Sequence, residues 1–186
     1  MIINDNKAIY FNLLQKWNKA YNLVQEKTVE DFENRHWKDC YQIVSLIPEK
    51  SRILDVGSGA GFPGIVLAMA GFNMTLCEIN QKKMIFLKEV TRLCHLQNVS
   101  FATDINAVTE HYDVVVSRAF SNLTDLLGIM KNVSRETSST IGIFLKGKTF
   151  QEEIENARHL YEFDVDITPS QTSTDSVILK IRNLKI

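Results

Sequence analysis

The sequence predicts an α/β fold: a mostly parallel sheet with helices on both faces, entered through a helical N-terminal extension. Three observations predict it. From Arg52 onward, short apolar runs alternate with helical patterns, as strands of a parallel sheet alternate with crossover helices. One run, Ile53 to Val56, leads directly into a glycine-rich turn. Before Arg52 the apolar residues fall at helical spacings instead.

Taken in order, Tyr10, Leu13, Leu14, Trp17, Tyr21 and Val24 lie on one face of a first amphipathic helix. After a polar stretch, Phe32 to Leu46 reads as a second helix that carries Arg35-His36-Trp37-Lys38-Asp39 and stops near Pro48. The expected strands are Ile53 to Val56, Met74 to Cys77, Val99 to Phe101, Val114 to Val116 and Ile141 to Leu145. Gln81 to Leu96 reads as a helix with Phe86, Val90 and Leu93 on one side. A last helix, Phe150 to Tyr161, precedes Phe163 to Ile167 and Val177 to Ile181, a closing antiparallel pair. Ser138-Ser139-Thr140 and Ser170 to Ser176 read as polar loops.

With 45% apolar residues in 186, the chain fits one domain, 1–186, divided into a helical extension (1–50) and an α/β core (51–186). No run has signal-peptide or membrane-spanning length, so a cytoplasmic protein without membrane contact is expected. A monomer is expected too. Cys40, Cys77 and Cys94 are widely separated and lack metal-ligand spacing, so free thiols and no metal are expected. The net charge of −1 argues weakly against a nucleic-acid binder but does not exclude a local basic face.

The strongest chemical signal is Asp55-Val56-Gly57-Ser58-Gly59-Ala60-Gly61-Phe62-Pro63-Gly64. Gly57 and Gly59 let a ligand approach the backbone, and the following helix offers free N–H groups. At the end of the second strand, Glu78 suits two vicinal ribose hydroxyls. An adenosine-containing ligand follows. The dinucleotide fingerprint would need glycine where Phe62 stands, which disfavours an NAD-dependent oxidoreductase. Gly-x-Gly-x-Gly after an acidic strand residue is instead the pattern of Rossmann-like class I methyltransferases that use S-adenosylmethionine. Gly57, Gly59, Gly61 and Glu78 are therefore the expected cofactor residues.

Ser117-Arg118-Ala119-Phe120 follows the fourth strand, where this fold class faces its transferred group. The Asn/Asp-Pro-Pro-aromatic motif of exocyclic-amine methylation is absent, and neither Cys77 nor Cys94 is placed as a nucleophile. A site without an evident base suits an acceptor with a free lone pair, such as guanine N7, for which alignment is the main task. Arg118 reads as a ligand for the methionine carboxylate, guanine or phosphate, or else as the ion-pair partner of an acid such as Asp113. Lys146-Gly147-Lys148 reads as a phosphate contact or a solvated turn. His36 reads as a base or phosphate contact beside Arg35, or as a packed histidine. Trp17 reads as core.

With these residues in view, the chain resembles the RsmG/GidB family of bacterial 16S ribosomal RNA guanine-N7 methyltransferases. The resemblance runs through Trp17-Asn18-Lys19, Arg35-His36, Asp39, the glycine motif with its Phe-Pro-Gly extension, Lys82-Lys83, Ser117-Arg118-Ala119-Phe120 and Leu145-Lys146-Gly147. It implies S-adenosylmethionine as donor and a guanine of the small ribosomal subunit as acceptor. It also implies Gly57 and Phe62 on the methionine side, Asn106 and Ala107 beside the adenine, and Arg118 completing the pocket; the residues expected toward RNA are Arg35, His36 and Lys146. The chain departs from the family in lacking its Arg and Glu around Ile105 to Ala107, and in carrying Asp39-Cys40-Tyr41 for a usual Asp-Ser-Leu. A methyltransferase acting on a protein or small molecule, or a non-catalytic cofactor- or RNA-binding domain, stays open at this point.

Overall fold

The structure, a computed structural model, describes residues 2–135 and 139–185. The extension consists of α1 (Ile2–Tyr21), a single turn α2 (Glu26–Val29), a π-helical segment (Glu33–Lys38), α3 (Asp39–Tyr41) and a 3₁₀ turn (Val44–Leu46). The core follows as β1 (Arg52–Val56), α4 (Gly64–Met69), β2 (Asn73–Cys77), α5 (Gln81–Leu93), β3 (Val99–Ala102) and β4 (Val114–Arg118). It ends with α6 (Leu123–Val133), β5 (Ile141–Lys146), α7 (Phe150–Arg158), β6 (Glu162–Pro169) and β7 (Val177–Lys185). The polar loop expected at Ser138-Ser139-Thr140 falls partly outside the described residues.

The sheet order is β3-β2-β1-β4-β5-β7-β6, with β1 to β5 parallel and β7 antiparallel to both its neighbours. The parallel strands bury both faces, which explains their nearly continuous apolar runs. Winding reverses between β1 and β4, so a crevice opens at their carboxyl ends. The turn after β1 and Ala119 after β4 face each other across it.

One helix expected from Phe32 to Leu46 is in fact three short segments, and the first is wound with π geometry. The wider turn carries Arg35-His36-Trp37-Lys38 and buries His36 and Trp37 while leaving Arg35 exposed; π-type irregularities of this kind often sit at functional sites. Missing from the strand-and-helix reading was α6, whose buried Leu123, Leu126, Leu127, Met130 and Val133 repeat at helical spacing.

The extension is part of the core. Tyr10 is fully buried, packs on Phe62 at 5.3 Å between ring centres, and donates through its hydroxyl to the Ala60 carbonyl at 2.6 Å. The Asn6 amide donates to the Cys94 carbonyl. Asn18 accepts from the Val24 amide and donates to Glu26, fixing the turn that carries Leu23 and Val24. Among the described residues no helix is long and apolar enough to cross a membrane.

Candidate functional site

Two cavities open at the carboxyl end of the sheet. The first, about 560 Å³, is lined by the glycine turn (Gly57 to Ala60, and Phe62), Glu78 and Ile79, Thr103 to Asn106, and Arg118 to Phe120. Glu78 lies just past β2 and is 7% exposed. One of its oxygens accepts from the Gly59 amide at 2.8 Å and the other from the Asn80 amide at 2.7 Å. These amides orient the carboxylate, and each oxygen keeps a lone pair for a hydroxyl.

Beneath the turn, Asp55 is fully buried in the central strand. One oxygen accepts from the Gly64 amide at 3.2 Å, while the other has no partner. Burial pushes this carboxyl up to about 7, against the opposing pull of the Gly64 amide and the nearby Ser58 hydroxyl, which donates to the Asp55 backbone carbonyl at 3.1 Å. Gly64 is required here, because a Cβ would lie 2.2 Å from Leu76 and 2.5 Å from the Asp55 carboxylate. Gly57, at φ +70°, is covered by Phe120, whose ring carbon would lie 2.1 Å from a Cβ. Ala119 itself has φ +53°, a strained value for a residue with a side chain.

The second cavity, about 480 Å³, is polar and open; Thr28, Arg35, His36, Asp39, Lys146 and Ser170 contribute to its wall. It shares Val24, Arg118 and Ala119 with the first. Arg118 is the fixed point between them. Its guanidinium donates to His36 Nδ1 at 2.9 Å, pairs with Asp39 at 3.3 Å, reaches Cys40 Sγ at 3.4 Å and lies over the Phe62 ring at 5.3 Å. Asp39 in turn accepts from Thr172 at 2.7 Å and Gln42 at 3.1 Å, tying the extension to the β6–β7 loop.

His36 is buried and stacked on Phe62, with ring centres 4.6 Å apart and planes 15° apart. Burial, reinforced by the Arg118 cation, pulls its pKa down to about 4. The ring is therefore neutral near pH 7. Because Nδ1 accepts from Arg118, the proton is assigned to Nε2, which donates to the Thr28 hydroxyl at 2.9 Å.

Several residue expectations change in detail. His36 is a packed, neutral residue, not a cationic phosphate contact. Lys146 lines the polar cavity, but its ammonium is taken up by the Ser121 carbonyl at 2.6 Å and Glu153 at 2.7 Å, which leaves it a poor phosphate ligand. Arg35 is exposed at the cavity wall, as a phosphate contact requires. Gly61 does not line the first cavity; its Cα side meets Ile65 and Tyr10. Asn106 lines that cavity whereas Ala107 does not, and Asp104 and Ile105 take its place. Asp113 accepts from the Arg52 amide and is not the partner of Arg118. Asp39, named in the sequence without a role, is the partner of Arg118; its position one helical turn beyond Arg35-His36 was the available signal.

Comparison with known proteins bears on this geometry. Residues 3–180 match the protein family described as rRNA small subunit methyltransferase G. The chain belongs to this family. Ribosomal RNA small subunit methyltransferase G of Parvibaculum lavamentivorans is 38% identical over 97% of this chain and 83% of its own length. The protein of the same name from Rickettsia prowazekii is 35% identical, covering 98% of this chain and 95% of its own. Among solved structures, the glycopeptide N-methyltransferase MtfA complexed with S-adenosyl-L-homocysteine has a TM-score of 0.66 at 10% identity, covering 79% of this chain and 89% of that one. A TehB-like SAM-dependent methyltransferase from Corynebacterium glutamicum has a TM-score of 0.63 at 14% identity, with 95% and 99% covered. These structural likenesses show the Rossmann-like class I methyltransferase fold.

Proposed function

We propose that this chain transfers the methyl group of S-adenosylmethionine to N7 of a guanine in 16S ribosomal RNA. The observation that carries the reading is the shared wall: a cavity beside the glycine turn and Glu78 meets a second, lined by charged and polar side chains, at Val24, Arg118 and Ala119. The first fits the cofactor. Glu78 presents carboxylate lone pairs for ribose hydroxyls, Ile79 and Ile105 offer apolar surface for an adenine, and Gly57 and Gly59 bring backbone close to the methionine end. Its size lies within the usual range of small-ligand sites, roughly 300–1,000 Å³.

When bound, S-adenosylmethionine supplies a methyl carbon on a sulfonium, so transfer moves one positive charge to the acceptor and leaves a neutral thioether. Guanine N7 has a lone pair and no proton to lose, so the protein has only to align and desolvate. The shared wall matches that requirement. Both His36 nitrogens are engaged, and Asp39 is taken up by Arg118, Thr172 and Gln42. Arg118, held on several sides, sets the distance between the two cavities. Arg35 at the wall and Lys148, exposed on the turn after β5, supply the local positive charge that the near-neutral chain needs for phosphate. The reading takes the chain as a cytoplasmic monomer acting on the small ribosomal subunit.

The test is transfer of labelled methyl to small ribosomal subunits from a strain lacking this protein, followed by separation of RNA from protein and nucleoside mass spectrometry. Label in 7-methylguanosine is the expected result; label in ribosomal protein, or none, rejects the reading.

A further inference from the structure

Beyond the two cavities of the shared wall lies a third, about 390 Å³, which joins the polar cavity at Gln42 and Thr172. Trp37 and Tyr41 form its aromatic wall. Their rings lie one helical turn apart, with centres 6.2 Å apart and planes 14° apart. Trp37 is 6% exposed and backed by the Lys7 ammonium at 4.9 Å, whereas Tyr41 is 42% exposed, a large aromatic held in place with its ring open to solvent. Lys38 also lines this cavity and, like Arg35 on the polar one, is exposed. No ion pair engages Arg35 or Lys38 among the described residues; Lys38 donates only to the neutral Asn34 side chain. The acid at this edge, Glu33, is neutralised by Lys7.

We infer that the third cavity binds a second nucleotide of the RNA, adjacent to the acceptor guanine, with its base stacked on Tyr41 and its phosphate near Arg35 and Lys38. The inference rests on the functional reading above. Three contiguous cavities then correspond to cofactor, acceptor base and neighbouring base along a locally single-stranded segment. Stacking needs only a π-face, so this subsite tolerates any base and contributes affinity more than sequence choice. An exposed cation on the same wall as the exposed aromatic, and a second on the adjoining cavity, favour a nucleotide over an apolar side chain as its occupant.

The experiment compares wild type with Tyr41→Ala, Tyr41→Leu and Tyr41→Phe in two measurements on small ribosomal subunits: methyl-transfer kinetics, and equilibrium binding by filter retention with S-adenosylhomocysteine present. Tyr41→Ala and Tyr41→Leu should raise the KM for subunits and weaken binding at least about fivefold, the low end for loss of one base–aromatic stack. Tyr41→Phe should match wild type, and kcat and cofactor affinity should not move in any variant. Tyr41→Leu is decisive, because it keeps apolar bulk and removes the ring. If it binds and reacts like wild type, the subsite is rejected while the methyltransferase reading stands. If wild type binds subunits but transfers no methyl, the functional reading fails, and the binding comparison still decides the subsite. If wild type neither binds nor methylates, both are overturned.

Discussion

At the scale of single residues, the site's polar groups are each held by several partners: two amides on Glu78, and His36, Asp39 and Cys40 around Arg118. Glu78→Gln removes the charge but keeps the shape, so the ribose-holding hydrogen bonds lose their charge assistance. Affinity for S-adenosylmethionine, measured calorimetrically, should fall on the order of tenfold to a hundredfold. An unchanged affinity would remove Glu78 from the cofactor site.

His36 makes a stability prediction. Its folded pKa of about 4 lies below the ordinary 6.5, so the unfolded chain takes up the proton first as pH falls. The stability it contributes is complete above about 6.5 and is lost progressively toward about 4, on the order of 3 kcal/mol over the full window. Asp55 works in the opposite sense. Its folded value of about 7 lies above the ordinary 3.8, so its contribution is present below 3.8 and is lost as pH rises through 7. The difference between wild type and His36→Asn isolates the histidine. In urea unfolding, that difference should shift against wild type as pH falls from 7 to 4. A difference independent of pH would mean that His36 is not held neutral.

At the scale of elements, two strand-to-helix connections make contrasting demands on glycine. At Gly64 a Cβ collides with Leu76 and with the buried Asp55 carboxylate. Gly64→Ala should destabilise the protein by about 1–3 kcal/mol, the usual range for overpacking. At Gly147 nothing lies within 4 Å of a Cβ. Gly147→Ala should therefore leave the melting temperature unchanged, so any effect it has on methyl transfer reports RNA approach to the turn after β5. The extension's hold on the glycine turn is equally specific. Tyr10→Phe leaves the Ala60 carbonyl without its 2.6 Å donor, a loss of about 1–3 kcal/mol read by the same unfolding assay.

Across the whole molecule, what the sequence reveals divides along physical lines. Each expected strand forms within a few residues of its expected bounds, and the central ones, β1, β4 and β5, are the clearest because strands buried on both faces need apolar runs that no loop would carry. The glycine turn and Glu78 were legible because both sit at strand ends fixed by that topology. The Arg118–Asp39–His36 arrangement was not. It joins residues separated by about 80 positions through a π-helical segment, and period alone does not distinguish π winding from an α-helix. Lys146 was misjudged for a related reason: its partner Glu153 lies on the next helix, and a buried ion pair leaves no mark on local pattern.

If the acceptor atom is a guanine N7, methylated without proton removal across the wall formed by Val24, Arg118 and Ala119, replacing that nitrogen by carbon abolishes transfer. The most direct measurement uses small subunits reconstituted with 16S RNA transcribed with 7-deazaguanosine in place of guanosine, and compares labelled methyl transfer with that to guanosine-containing particles of equal sedimentation. Incorporation is expected into the guanosine particles and not into the 7-deaza particles. Equal incorporation into both would contradict N7 as the acceptor, placing the methyl group on another atom.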